Sequence, residues 1–242
     1  MMRRLLLDAG NSSLKWAVVE AGKWRAQGRC DYAELAVHGP HLTHDTACFV
    51  ASVTRPAHAS ALAAWLQTAG IEPAWLRAEA AFAGLRNGYH NRQQLGVDRW
   101  MGLIAAWQRA REAALVVSAG TAMTIDAVSA EGEFLGGLIV PGAALMRQAL
   151  LQGTAGVGEI AGHCQAFPRD TADAVESGIV AALCGAVRQQ HGLLAERVDK
   201  PPRVLLTGGD AGLLLPHLGL PLEHVPALVL EGIDCVARER TS

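Results

Sequence analysis

The chain has 242 residues, 50% hydrophobic and 18% charged, with a formal charge of −2, which suits a globular protein of one large domain or two lobes and excludes a polybasic nucleic-acid surface. Its five cysteines (Cys30, Cys48, Cys164, Cys184 and Cys235) are scattered without a CxxC pair, as expected for reduced thiols in a cytoplasmic protein. No run approaches transmembrane length, and the signal-like start MMRRLLL is interrupted by Asp8 and Asn11, so neither secretion nor a membrane partner is expected.

The opening LLLDAGNSSLKWAVVE, residues 5–20, reads as strand, glycine turn, strand; Ala21-Gly22 then turns into a third short segment containing Trp24. A Walker loop needs GxxxxGK[ST] and a helix directly after the turn, so this opening is neither that nor a Rossmann fingerprint. Asn11-Ser12-Ser13 matches a glycosylation sequon but falls in the tight turn of an intracellular chain and is set aside. His38, His41 and His44 surround Pro40 with no acidic or thiol complement, which suits a polar surface loop better than a metal site. A strand at 47–53, a helix at 55–69 closed by Gly70, and a strand at 73–78 follow. The polar stretch NGYHNRQQLGVDRW, 87–100, brings Asp98 and Arg99 onto the start of a helix, 97–112, that joins the two halves.

The second half repeats the plan. LVVSAGTAMTIDAVS, 115–129, restates the opening, with strands at 114–118, 122–128 and 133–140. Pro141-Gly142 begins a helix ending near Gln152, residues 171–191 form a long helix, RVLLTGG at 203–209 is a strand entering Gly208-Gly209, and a helix at 228–240 closes the chain. Duplicated turns at Gly10 and Gly120 imply an α/β protein with two lobes, 1–112 and 113–242, whose turns face each other across a cleft suited to a nucleotide phosphate chain.

The chemistry follows from those turns. Gly10 and Gly120 can take positive φ and present backbone N–H groups to phosphate, while Asn11, Ser12, Ser13 and Thr121 add side-chain donors. An ordinary hairpin glycine explains one such turn, whereas two matched turns favour phosphate. Asp8 at a strand end suits Mg²⁺ held through water. Lys15 either neutralises phosphate or is a strand-end surface lysine. Gly208 and Gly209 offer a flat surface for adenine and ribose, or take a helix C-terminal or loop role. Asp98 either complements the helix dipole or accepts the proton of an attacking alcohol.

DAGNSSLK, GVDRW, SAGTAMTID, GGLIVPG and TGG, in this order, resemble type III pantothenate kinase, including its relatives called Bvg accessory factor. The resemblance covers nearly the whole chain and implies two ribonuclease H-like lobes of the actin-like ATPase superfamily clamping ATP. By motif it places Asp8, Ala9, Gly10, Asn11, Ser12, Ser13, Leu14 and Lys15 in the first phosphate turn and Thr121 on ATP in the second. It places Gly96, Val97, Asp98 and Arg99 at the pantothenate site, with Asp98 as proton acceptor and Tyr89 and Thr171 touching substrate. The implied reaction is ATP plus pantothenate to ADP and 4′-phosphopantothenate, the committed entry to coenzyme A, in a homodimer with Thr171 near the subunit interface. Two positions depart from the pattern. Ser118 stands where the family commonly has an aspartate that ligates K⁺ or NH₄⁺, and a neutral hydroxyl is the weaker ligand. Arg92 stands where a proline is common. A non-catalytic accessory protein of the same fold and a kinase for another small alcohol are the competing readings.

Overall fold

The computed structural model describes residues 3–154 and 162–241. In chain order the elements are β1 (Arg3–Ala9), β2 (Leu14–Glu20), β3 (Lys23–Cys30), α1 (Leu35–His38), β4 (Thr46–Ser52), α2 (Pro56–Thr68) and β5 (Pro73–Trp75). Then come β6 (Ala81–Phe82), β7 (Leu85–Asn87), α3 (Val97–Ala110), β8 (Ala114–Ala119), β9 (Ala122–Val128) and β10 (Glu133–Pro141). The chain ends with α4 (Ala143–Gly153), α5 (Thr171–Ala195), β11 (Arg203–Thr207), α6 (Ala211–Leu214), β12 (Glu223–His224) and α7 (Leu228–Thr241). No helix among the described residues is long and apolar enough to cross a membrane, and all five cysteines are free thiols.

Two compact units emerge: residues 1–110 with 227–242, and residues 111–226. In the first, the sheet order is β3-β2-β1-β4-β5, with β1–β2 and β2–β3 antiparallel and β1–β4 and β4–β5 parallel. In the second, β10-β9-β8-β11-β12 follow the same order with the same directions. The repeat visible in the sequence is therefore a repeat of strand plan, β1 to β5 corresponding to β8 to β12. Its turns differ by one residue: Ala9 faces Leu14 across the first and Ala119 faces Met123 across the second.

Alternation along each first strand sorts its residues onto two faces. Leu5, Leu7 and Ala9 pack with Leu62 and Leu66 of α2, so Leu6 and Asp8 lie on the opposite face. Arg4, on that same opposite face, donates to Asp234 of α7 at 3.0 Å. In the second unit Leu115, Val117 and Ala119 pack with Ile179, Leu183 and Val187 of α5, which leaves Ser118 on the other face.

The helix α7 departs from the expected division. Sequence order puts residues 228–240 in the second lobe, but the helix packs in the first unit, against α3 and β1. Its contact with α3 depends on Gly232, where a Cβ would stand 1.9 Å from the Met101 carbonyl oxygen. Asp234, wholly buried, accepts from both Arg4 and Arg238 and ties the helix to β1. The hairpin of β6 and β7 was not foreseen; its turn residues Ala83 (φ 45°) and Gly84 (φ 89°) both have the positive φ that tight hairpins favour.

Candidate active site

Asp8 ends β1 and faces Lys15 across the hairpin, with Lys15 Nζ 3.7 Å from Asp8 Oδ2. The carboxylate is only 6% exposed. Burial pushes its pKa up to about 6, Lys15 draws it down, and the Asp98 carboxylate pushes it up again. Asp8, Lys15 and Asp98 thus share one electrostatic neighbourhood, although 90 positions separate the two aspartates in the chain.

Asp98 sits in the first turn of α3, whose first bond runs from Trp100 N–H to the Gly96 carbonyl at 3.0 Å. Its Oδ1 accepts the Arg99 backbone N–H at 2.8 Å. A Cβ on Gly96 would come 2.7 Å from that same oxygen, so the glycine leaves the space the carboxylate occupies. Burial raises the Asp98 pKa, opposed by the Arg99 N–H, the Arg99 guanidinium and Lys15. The net shift is upward, in the direction that makes a better proton acceptor.

Arg99 is 7% exposed, and its Nη1 donates to the Tyr89 hydroxyl at 2.9 Å while its guanidinium lies 5.5 Å from the centre of that ring. Tyr89 is placed by Asn87, a residue that sequence reasoning missed. Asn87 Oδ1 accepts the Tyr89 N–H at 3.1 Å, and Nδ2 donates to the carbonyls of Glu79 and Arg92 at 3.2 and 3.4 Å. An asparagine that uses both ends of its amide at the end of a three-residue strand leaves no periodic signal in the sequence. Arg92, at the expected proline position, lies in a short 3₁₀ turn that Asn91 caps through Gln93 N–H.

The glycine turns differ in detail from expectation. Gly10 N–H donates to Ser13 O at 3.2 Å and Gly120 N–H to Ala122 O at 3.3 Å, so both amides are used inside the turns. Neither glycine has positive φ, and a Cβ would meet ordinary contacts at 3.4 Å and 3.8 Å. The polypeptide does not itself need glycine at either place, and the space a side chain would fill stays open, which fits a close-approaching phosphate. Gly208 is the opposite case: its φ is +100° and a Cβ would lie 2.0 Å from the Ala119 carbonyl oxygen. The end of β11 needs that glycine for its own packing. Gly142, at the head of α4, is similar, with a Cβ position 2.0 Å from Gly120 O. Gly209 is exposed beside it in sequence.

Ala9, Leu14 and Val97 have buried side chains, so only their backbones could face a ligand. Asn11 and Ser12 are exposed and Ser13 is buried. In the second unit Ser118 pairs with Thr124, the position that Lys15 holds opposite Asp8. The Thr124 hydroxyl is buried without a hydrogen-bond partner among the described residues. Thr121 and Thr171 are exposed, Thr171 being the first residue of α5 behind the cap that Asp170 provides to Asp173 N–H. Among the described residues no group of three or more His, Cys, Asp or Glu could hold a metal alone. Mg²⁺ needs no such group, since one or two carboxylates with water and phosphate oxygens complete its shell, and the mutually repelling Asp8 and Asp98 fit that requirement.

The duplicated five-strand plan, β1 to β5 and β8 to β12, is that of the actin-like ATPase and sugar kinase fold. The fold is shared at 13% identity with component A of (R)-2-hydroxyglutaryl-CoA dehydratase from Acidaminococcus fermentans (TM-score 0.55, covering 99% of each chain). A Baf family protein from Campylobacter jejuni superposes with TM-score 0.63 at 22% identity over 98% of each chain. The family model for type III pantothenate kinase matches residues 4–192. A curated type III pantothenate kinase from Thiobacillus denitrificans is 59% identical over 235 residues, covering 97% of this chain and 96% of its own. The chain belongs to the type III pantothenate kinase family, and it is a kinase.

Proposed function

We propose that this protein transfers the γ-phosphoryl group of ATP to the primary hydroxyl of pantothenate, giving 4′-phosphopantothenate for coenzyme A synthesis, with Asp98 accepting the hydroxyl proton. The observation that carries the residue assignment is the Asp98 carboxylate itself: half-buried, raised in pKa by desolvation, seated in the gap left by Gly96 and within electrostatic reach of Asp8 and Lys15.

Phosphoryl transfer is loose and asks the protein mainly for positioning and charge stabilisation. Asp98 orients the alcohol and takes its proton late in the step. Lys15 supplies positive charge to the phosphates, and the turn residues Asn11, Ser12 and Thr121 supply donors, while Gly120 leaves room for their approach. Arg99 and Tyr89 form the wall that receives pantothenate, with Thr171 as a further contact. Mg²⁺, held by Asp8 through water, would neutralise charge on the phosphate oxygens. A monovalent cation, K⁺ or NH₄⁺, is proposed beside Ser118, where the unpartnered Thr124 hydroxyl is a second neutral oxygen. Neutral ligands make that affinity weak. We read the protein as a cytoplasmic homodimer. The apolar side chains of Leu145, Met146, Leu150 and Val175 line an open groove beside Thr171, which supports the dimer part of that reading.

The test is purified protein with ATP, Mg²⁺ and pantothenate, with and without K⁺, followed by detection of ADP and phosphopantothenate. Phosphopantothenate formation with only modest stimulation by K⁺ is expected, and its absence under every cation condition overturns the proposal.

A further inference from the structure

The first turn is held from below by residues outside every motif. Tyr32, buried among Leu62, Leu66 and the inner face of β1, donates its hydroxyl to the Gly10 carbonyl at 2.6 Å. Its ring stacks on His58 of α2, centroids 4.2 Å apart and planes 15° from parallel. Thr54 holds the ring beneath it, its hydroxyl 3.2 Å from His58 Nδ1.

Peptide geometry gives this contact a consequence. No described peptide bond is cis, so the Gly10 C=O and the Asn11 N–H point in opposite directions from one rigid plane. Holding the carbonyl toward Tyr32, on the α2 side of the sheet, aims the Asn11 N–H toward the side that carries Asp8. The Gly10 N–H is already used by Ser13 O, whereas Asn11 N–H has no partner among the described residues. A glycine peptide is also the one most ready to rotate. Without an acceptor-side anchor this plane would sample other orientations.

We infer that Tyr32 is a positioning residue for the nucleotide phosphates: it fixes the Gly10–Asn11 peptide so that the Asn11 N–H is a preformed donor to a phosphate oxygen. The inference rests on the reading of this turn as the ATP site.

The test compares wild type with Tyr32→Phe, which keeps the ring, its stacking and the packing but removes the donor. Binding of ATP, ADP and adenosine is measured by calorimetry, with thermal unfolding as a control. ATP and ADP affinity falls about tenfold, the worth of one such hydrogen bond, while adenosine affinity and the KM for pantothenate stay within about twofold. Equal weakening of adenosine and ATP, or no weakening of either, overturns the inference. In ¹⁵N-labelled wild-type protein the Asn11 amide shifts on adding ADP and stays in place on adding adenosine. An Asn11 amide indifferent to ADP overturns the inference independently of any variant. A wild-type protein that binds ATP in this way yet forms no phosphopantothenate refutes the proposed reaction and leaves the role of Tyr32 standing.

Discussion

Asp8 and Lys15 stand directly opposite each other on β1 and β2, yet their 3.7 Å contact does not offset the burial of the carboxylate, whose pKa rises to about 6. Against an ordinary value near 3.8, that shift corresponds to about 3 kcal/mol of stability lost when Asp8 is ionised. Below about pH 4 both folded and unfolded chains hold the proton and nothing is lost. Between about pH 4 and 6 the unfolded chain releases it first, so this group's contribution to stability falls as pH rises and stays low above 6. Asp8→Asn is therefore expected to unfold at a higher temperature than wild type at pH 7.5, with the margin shrinking toward pH 4.5, while turnover is lost. Thermal melts at the two pH values check it.

For Asp98, the expectation is separation of chemistry from binding. Asp98→Asn should lower kcat by about 10²- to 10⁴-fold, the usual worth of a positioned acid–base group, with ATP affinity close to wild type. Gly96→Ala should lower kcat as well, because its Cβ would meet the carboxylate at 2.7 Å. A base must be deprotonated to act, so wild-type kcat/KM falls as pH drops through the raised pKa of Asp98, at a pH above the ordinary aspartate range. A pH–rate profile measures where that limb lies. Near-normal turnover of Asp98→Asn would falsify the assignment.

The glycines divide into two groups by what surrounds them. Gly10→Ala and Gly120→Ala should fold with unchanged melting temperature and raise the KM for ATP, since only a ligand competes for the added methyl. Gly142→Ala and Gly208→Ala would drive a Cβ to 2.0 Å from backbone oxygen and should lose about 1–3 kcal/mol of stability or more. Parallel melts and ATP titrations of the four variants distinguish the groups.

Asn87→Asp should disturb the substrate loop more than its size suggests. The carboxylate still accepts from Tyr89 N–H, but its second oxygen faces the Glu79 and Arg92 carbonyls, which need a donor. The KM for pantothenate is expected to rise with the KM for ATP unchanged. Steady-state kinetics with each substrate varied in turn decide it.

Gly232→Val tests the placement of the last helix. A Cβ at 1.9 Å from the Met101 carbonyl oxygen, with two methyls beyond it, forces α3 and α7 apart, and a fall in melting temperature of several degrees is expected. An unchanged melting temperature would mean that the two helices do not depend on that close approach.

Much of this protein's structure is local and legible in its sequence. Glycine turns between short β-rich runs announce strands on either side, and their recurrence from Gly10 to Gly120 announces a duplicated fold. GVDR at the start of a helical stretch announces Asp98 in a first turn. The β6–β7 hairpin was less legible because its strands are only two and three residues long and its turn uses Ala83 where an asparagine would have signalled positive φ. Helix α7 shows the limit most plainly. Its apolar stripe says that it packs, and a stripe of Leu, Ile and Val fits many partners. What selects α3 is the absence of a side chain at Gly232, and what ties the helix to β1 is the bond from Arg4 to Asp234. Tertiary structure likewise decided the acid–base character of Asp8 and Asp98, because a pKa is set by burial and neighbouring charge. The sequence alone determined which groups exist and the local turns that carry them; the packed chain decided which stand together, since hydrogen bonds and electrostatics act across space rather than along the chain.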